Sequence, residues 1–126
     1  MSEVVVVDAV PVTEFITRLF AAAGVRPAWA VLMGESLVAG NLRNVDSHGV
    51  QLAPFYLAQV VAGRVAAETC GCVDSEAGAV MRYDGRNGLG QVVALQATSH
   101  AVRLARGHKL GLVVARESNH FGAAAW

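Results

Sequence analysis

Apolar residues in the first half of the chain recur at helical spacing. The opening run VVVVDAVPV (residues 4–12) predicts an extended segment that Pro11 ends. Thr13 can cap a first helix, which Gly24 ends. The apolar face of this helix is predicted to consist of Phe15, Leu19 and Phe20.

Two further helices are predicted before the middle of the chain. Pro27 suits the first turn of the second helix, which continues to about Leu42. Its broad apolar stripe is formed by Trp29, Leu32, Met33, Leu37 and Val38. The segment DSHGVQLAP interrupts the pattern, because Gly49 loosens the backbone and Pro54 disfavours helix in the residue before it. A third helix is predicted from about Pro54 to Gly63.

The second half of the chain alternates strands with a helix. Strands are predicted at TCGCV (69–73) and AVMRYD (79–84), followed by an amphipathic helix over 91–106. The apolar positions of that helix include Val92, Leu95, Val102 and Leu104. A short buried strand, GLVVAR (111–116), then leads into SNHFG. Helices followed by strand–helix–strand predict an α/β fold with a helical N-terminal segment.

The composition is unusually apolar for a chain of 126 residues. Apolar residues make up 54% and charged residues only 16%, against about 25% in ordinary soluble domains. A short chain buries only about two thirds of its unfolded surface, so it should need more polar residues. Two interpretations stay open. The sequence is rich in Ala and Gly and merely scores as hydrophobic, or its apolar surface is covered by further chain or by another subunit.

Charge and cysteine content argue against several classes of protein. Ten basic and ten acidic residues balance, and no basic cluster predicts nucleic acid or an anionic membrane as partner. Charged residues interrupt every apolar run before the roughly 18 residues of a membrane helix, and the N-terminus lacks the basic region of a secretory signal. Cys70 and Cys72 are too close for a useful disulfide, and one such pair favours strand residues over a metal site. A cytoplasmic location is therefore expected.

The DSHG segment is the first candidate for chemistry. Imidazole gains and loses a proton near neutral pH. Asp46 and Ser47 could orient His48 by hydrogen bonds, and Gly49 could leave room beside the ring for a small molecule. Taken alone, a histidine at a helix break is more often a local cap or a satisfied turn residue. A nucleophilic role for Ser47 is a poorer hypothesis, because adjacent residues rarely align hydroxyl and imidazole.

The SNHFG segment is the second candidate. Ligands of open α/β sheets collect beyond the carboxyl ends of the strands, where Asn119 and His120 would project. A metal-dependent hydrolase using Asp46, His48 and His120 is a further hypothesis. It lacks a carboxylate-rich loop or an HxxxH pair, so no metal site is predicted. His100 and His108 are predicted to be surface residues.

The glycine-rich segment DGRNGLGQ (84–91) has two possible interpretations. It follows a strand and precedes a helix whose amide end favours anions, as a phosphate loop would. Its glycine spacing matches neither GxGxxG nor a Walker loop, however, and Asn87-Gly88 is an ordinary turn dipeptide. A turn is the favoured interpretation.

Taken together, these motifs resemble one known family. DSHGV, Pro54 and Tyr56 six and eight positions after His48, DGRNGLGQ and SNHFGAA have the order and spacing seen in the malate/L-lactate dehydrogenase family of NAD(P)-dependent oxidoreductases. This non-Rossmann group includes ureidoglycolate and sulfolactate dehydrogenases, 2,3-diketogulonate reductase and Δ1-piperideine-2-carboxylate reductase. The resemblance extends from about residue 12 to Trp126. It implies a single N-terminal portion of a larger enzyme, with a helical segment (1–63) and the start of the cofactor-binding α/β segment (64–126).

The resemblance also implies roles for individual residues. His48 would be the proton donor to the substrate oxygen or imine nitrogen, with Ser47 beside it in a relay. Tyr56 and His120 would line the pocket of a small-molecule substrate, a 2-hydroxy or 2-oxo acid or a cyclic imine carboxylate. The cofactor, NAD or NADP, would be met by His120, Phe121, Gly122, Ala123 and Ala124.

Two departures from the family pattern affect these expectations. Leu52 stands where family members usually carry an arginine that holds the anionic ligand. Each charge-assisted hydrogen bond of such a pair contributes roughly 1.5–3 kcal/mol, so either another cation such as Arg43 replaces it or the carboxylate is held weakly. The chain is also shorter than family members, which suggests missing C-terminal chain or completion in a homodimer. The alternative hypothesis is a truncated, non-catalytic remnant that acts only through subunit association.

Overall fold

The computed structural model describes residues 5–124, in which three helices precede a small sheet. The elements are α1 (Ala9–Ala22), α2 (Pro27–Leu42), α3 (Ala53–Val61), β1 (Cys72–Ala77), β2 (Val80–Gly88), α4 (Gly90–His108) and β3 (Leu112–Ser118). Two short 3-10 turns, Asp46–His48 and Val50–Leu52, join α2 to α3. The predicted α/β class and order of elements are confirmed. Within residues 5–124, no helix combines the length and the apolar character needed to span a membrane.

Helix α1 begins at Ala9, so the predicted extended run to Pro11 is wrong. The first amides of a helix have no intrahelical acceptor, so a proline in the first turn removes no hydrogen bond. Thr13 lies inside the helix, and its hydroxyl donates to the carbonyl oxygen of Ala9 at 2.8 Å instead of capping the first turn. Residue 4 of the predicted run lies outside the described residues.

Helix α2 has the predicted bounds and is the buried centre of the helical segment. Its buried residues surround much of the helix: Ala30, Leu32, Met33, Gly34, Ser36, Leu37, Val38 and Gly40. A Cβ atom on Gly34 would lie 2.8 Å from the carbonyl oxygen of Thr13, and one on Gly40 would lie 2.8 Å from that of His48. Small residues therefore let α1 and the DSHG turn pack directly on α2.

The sheet has the order β1-β2-β3, with β1 antiparallel and β3 parallel to β2. Helix α4 makes the crossover between the two parallel strands. Strand β1 begins three residues later than predicted, and β2 extends beyond Asp84 to Gly88, which pairs with Ser118 after a bulge. Arg86 and Asn87 adopt positive φ within that bulge. The glycine-rich segment is thus a bulged strand end, not a simple turn.

Two apolar clusters form the core. The larger joins the helices with Leu89 and Val92, and the smaller consists of Met81, Tyr83, Val93 and Leu104 between α4 and the sheet. Several predicted core positions are instead exposed: Phe15, Leu95, Val102, Leu112 and Val114. Strand β3 was predicted to be buried, but it is one of the two edge strands, and α4 covers only one face of the sheet. His108 is exposed as predicted, whereas His100 is half-buried against the ring of Tyr83.

Candidate functional site

The DSHG turn is held by one side chain at the end of α2. The Asn41 amide donates to Asp46 Oδ1 at 2.6 Å, and its oxygen accepts from the backbone N–H of Val50 at 2.8 Å. A Cβ atom on Gly49 would lie 2.6 Å from the amide carbon of Asn41. Two expectations are therefore wrong. Asp46 pairs with Asn41 instead of orienting His48, and the missing side chain of Gly49 makes room for that amide.

His48 retains the other predicted neighbour. Its Nδ1 atom lies 3.0 Å from the hydroxyl oxygen of Ser47. The imidazole is half-buried and the serine is exposed, so the serine hydroxyl is open to solvent. Since this contact uses Nδ1, the Nε2 atom of His48 is left for a ligand.

Tyr56 and His120 meet from distant parts of the chain. Tyr56 lies on α3 and is 4% exposed, whereas His120 is exposed just beyond the carboxyl end of β3. The Tyr56 hydroxyl is 2.5 Å from His120 Nδ1. Burial raises the pKa of the Tyr56 phenol, and the nearby Gln91 amide partly offsets this rise. The phenol is therefore a neutral hydrogen-bonding group at physiological pH.

His48 and His120 lie on the same side of the molecule, as expected. Their ring centroids are 5.5 Å apart, with an angle of 28° between the ring planes. A flat ligand stacked between two rings needs roughly 7 Å, because each contact takes about 3.5 Å. A flat ligand therefore does not fit between the two rings in this arrangement.

The segment after β3 packs on the start of α4. The Asn119 amide donates to the carbonyl oxygen of Gly88 at 2.8 Å and to Asn87 Oδ1 at 3.0 Å. The backbone carbonyls of Asn119 and His120 lie so close to Gly90 that a side chain there would collide with them. The backbone of residues 119 and 120 therefore packs against Gly90, the first residue of α4. A phosphate loop would instead leave space for an anion at this position.

A cavity of about 210 Å³ borders the same segment. Its walls are formed by Gln91, Ala94, Leu95, Thr98, Phe121, Ala123 and Ala124. Small and apolar side chains dominate this lining, and Gly122 has positive φ, which lets the backbone turn closely over Gln91. These walls fit a flat aromatic ring such as a nicotinamide. Of the predicted cofactor segment, Phe121, Ala123 and Ala124 line this cavity, and His120 and Gly122 do not.

Arg43, the cation expected to replace the arginine absent at position 52, is engaged elsewhere. Leu52 is partly buried and packs on the larger apolar cluster. The Arg43 guanidinium donates to the carbonyl oxygen of Ala39 at 3.4 Å, within its own helix, and makes no hydrogen bond or ion pair with His48 or His120. Within residues 5–124, no three His, Cys, Asp or Glu side chains are grouped as metal ligands, so Asp46, His48 and His120 do not form such a set.

Sequence reasoning missed two residues of this region, Asn41 and Gln91. Each is an amide near a helix end, a pattern too common to stand out in a single sequence. Their importance follows from tertiary contacts, which bring Asn41 against the DSHG turn and Gln91 beneath Gly122.

Comparisons with known proteins identify the family of this chain. The family model described as malate/L-lactate dehydrogenase matches residues 7–126. Malate dehydrogenase from Pyrococcus horikoshii is 36% identical over 113 residues, which are 90% of this chain and 31% of that protein. The (2R)-3-sulfolactate dehydrogenase (NADP(+)) of Chromohalobacter salexigens is 38% identical over 99 residues, 78% of this chain and 29% of that protein.

A solved structure shows the same fold. Sulfolactate dehydrogenase from Methanocaldococcus jannaschii superimposes with a TM-score of 0.91 at 28% identity. The match covers 95% of this chain and 35% of that one. The chain therefore spans about a third of the length of the relatives it matches.

Proposed function

Because the chain belongs to the malate/L-lactate dehydrogenase family, we propose that the protein containing it is an NAD(P)-dependent oxidoreductase. Its reaction moves a hydride between a nicotinamide and a 2-hydroxy or 2-oxo acid, or a cyclic imine carboxylate. The named activities of its relatives support this range: malate dehydrogenase, sulfolactate dehydrogenase and Δ1-piperideine-2-carboxylate reductase. The observation that carries the proposal is the adjacency of the rings of His48 and His120.

His48 is the proposed proton donor. Ser47 engages Nδ1, so the proton passes from Nε2 to the substrate oxygen or imine nitrogen as that group is reduced. The exposed Ser47 hydroxyl then relays a proton from solvent to the ring. In the oxidative direction His48 takes the proton from the substrate hydroxyl.

Tyr56 and His120 hold the substrate in this proposal. Tyr56 engages His120 Nδ1, so the Nε2 edge of this second ring is also directed to the ligand. Phe121, Ala123 and Ala124 line the cavity that would hold the nicotinamide, whether of NAD or NADP. When bound there, the cofactor supplies or accepts the hydride. Leu52 leaves the substrate carboxylate without a guanidinium partner, so we propose that this chain binds it weakly.

We also propose what covers the exposed face of β3 and where the protein is located in the cell. Strand β3 exposes Leu112 and Val114, at 51% and 54%, which suits coverage by further chain or by a second copy in a homodimer. We propose a cytoplasmic location. The matched relatives are named as dehydrogenases and reductases, so the comparisons give no support to a non-catalytic remnant.

A spectrophotometric assay of the native protein tests this function. NADH and NADPH are each mixed with oxaloacetate, pyruvate, sulfopyruvate or Δ1-piperideine-2-carboxylate, and loss of absorbance at the reduced nicotinamide band is followed. Turnover with at least one combination supports the proposal. A folded protein that oxidises neither cofactor with any of these substrates, and changes the fluorescence of neither at millimolar concentration, contradicts it.

A further inference from the structure

Gln91 is a deeply buried polar side chain at the centre of this region. It is the second residue of α4 and is 1% exposed. Within residues 5–124, neither its Oε1 nor its Nε2 atom has a hydrogen-bond partner. A buried polar group left unpaired costs about 1–3 kcal/mol. Such a group therefore calls for a physical explanation.

The surroundings of Gln91 indicate which group it serves. A Cβ atom on Gly122 would lie 3.3 Å from Gln91 Nε2, so the amide lies directly beneath the turn that follows His120. Tyr56 is buried in the same apolar cluster as Val92, the chain neighbour of Gln91. The Gln91 amide also lowers the pKa of the Tyr56 phenol, although no hydrogen bond joins the two side chains in this structure. Tyr56 in turn contacts His120 Nδ1 at 2.5 Å. The Gln91 amide therefore lies close to the Tyr56 phenol, and the phenol contacts the His120 imidazole.

We propose that Gln91 is a positioning residue that donates from Nε2 to the phenol oxygen of Tyr56 and thereby sets the tautomer of His120. A phenol has one hydrogen to donate. With the amide N–H group on one side of the oxygen, the acceptor left for that hydrogen is His120 Nδ1. The neutral imidazole then carries its own hydrogen on Nε2.

This tautomer has a use in the substrate site. An Nε2–H group donates to a carbonyl or carboxylate oxygen, whereas a bare Nε2 atom would repel it. The use of Nε2–H in substrate binding rests on the proposed function, but the tautomer itself does not. His120 then donates from Nε2 to the substrate, and the proton transfer remains with His48.

Nitrogen-15 NMR of the histidine rings tests the proposal, at a pH where the imidazoles are neutral. His120 is expected to be protonated at Nε2 in the unaltered protein. Gln91→Met keeps the side-chain volume and removes the donor, so His120 should become a mixture of tautomers and the pKa of Tyr56 should rise. Gln96→Met is the matched control, because Gln96 lies on the same helix as Gln91 and accepts a hydrogen bond from the other buried phenol, that of Tyr83. It should leave His120 unchanged.

Two results overturn the proposal. One is an unaltered protein with His120 protonated at Nδ1, a measurement that requires no variant to fold. The other is a folded Gln91→Met protein in which the His120 tautomer and the Tyr56 pKa are both unchanged. Neither result depends on hydride transfer, so failure of this inference is separate from failure of the proposed function.

Discussion

His48 and His120 are 72 positions apart in the chain, yet their rings stack with centroids 5.5 Å apart. One ring lies on a 3-10 turn fastened to α2 by Asn41, and the other follows the parallel strand β3. Two separate parts of the fold therefore contribute to one surface. Nδ1 of His48 is engaged by Ser47 and Nδ1 of His120 by Tyr56, so the Nε2 atom of each ring is left for a ligand in the proposed function.

Replacement of His48 tests the proposed proton donor. His48→Ala in the native protein should lower the rate of substrate reduction by about 10²–10⁴-fold, the usual contribution of a general acid. Stopped-flow measurement of hydride transfer isolates this step from product release. His108→Ala is the matched control, because His108 is exposed at the end of α4. A His48→Ala rate within about tenfold of the unaltered protein would rule out the role.

Gly90→Ala should disturb the cofactor segment. The added methyl group would collide with the backbone carbonyls of Asn119 and His120, so that segment must move. We expect a lower melting temperature and at least tenfold weaker binding of NADH or NADPH, measured by fluorescence titration. Gly107→Ala on the same helix meets no atom within 4 Å and should stabilise the protein by up to about 1 kcal/mol. Equal effects of the two substitutions would contradict this account of residues 119–122.

Leu52→Arg should restore a partner for the substrate carboxylate. A charge-assisted hydrogen bond contributes roughly 1.5–3 kcal/mol, so the KM for a 2-oxo acid should fall by roughly ten- to a hundredfold. Leu42→Arg adds the same charge at a position that is 71% exposed at the end of α2, and it should leave the KM unchanged. If both variants change the KM alike, the gain reflects general charge and not the position of residue 52. Thermal unfolding would report any loss of core packing by Leu52.

The raised pKa of Tyr56 predicts loss of stability in alkali. Above the ordinary phenol pKa of 10.0 the unfolded chain loses this proton while the folded chain retains it. The contribution of this phenol to stability is therefore fully present below pH 10, and it is lost as the pH rises through the pKa that the phenol has in the folded chain. The free energy of unfolding, measured with urea, should fall less steeply above pH 10 in Tyr56→Phe than in the unaltered protein. An identical slope would show that the phenol titrates normally.

Much of the fold follows from local sequence. Pro27 at the first turn of α2 and the apolar run of β3 before SNHFG placed both elements near their observed positions. The errors arise where tertiary packing decides. Pro11 is compatible with the first turn of a helix, and β3 is exposed because it lies at the sheet edge. Neither outcome is encoded in hydrophobic spacing.

The candidate site, like the fold, could be predicted from the sequence only in part. The two histidine segments were identifiable from residue type and from resemblance to a family. The partners of their side chains were not, because Asp46 turns to Asn41, and Tyr56 reaches His120 across 64 positions. The orientation of a polar side chain depends on acceptors brought close by folding, and a single sequence does not place them.

The adjacency of His48 and His120 is tested most directly by nuclear Overhauser effects between their ring protons. The sample is the folded chain, with dispersed amide resonances and the histidines assigned by single substitution. Rings with centroids 5.5 Å apart should show mutual ring-proton cross-peaks, together with a cross-peak from Tyr56 to His120. A folded protein in which His48 and His120 share no cross-peak, while each shows contacts to other side chains, would contradict the account.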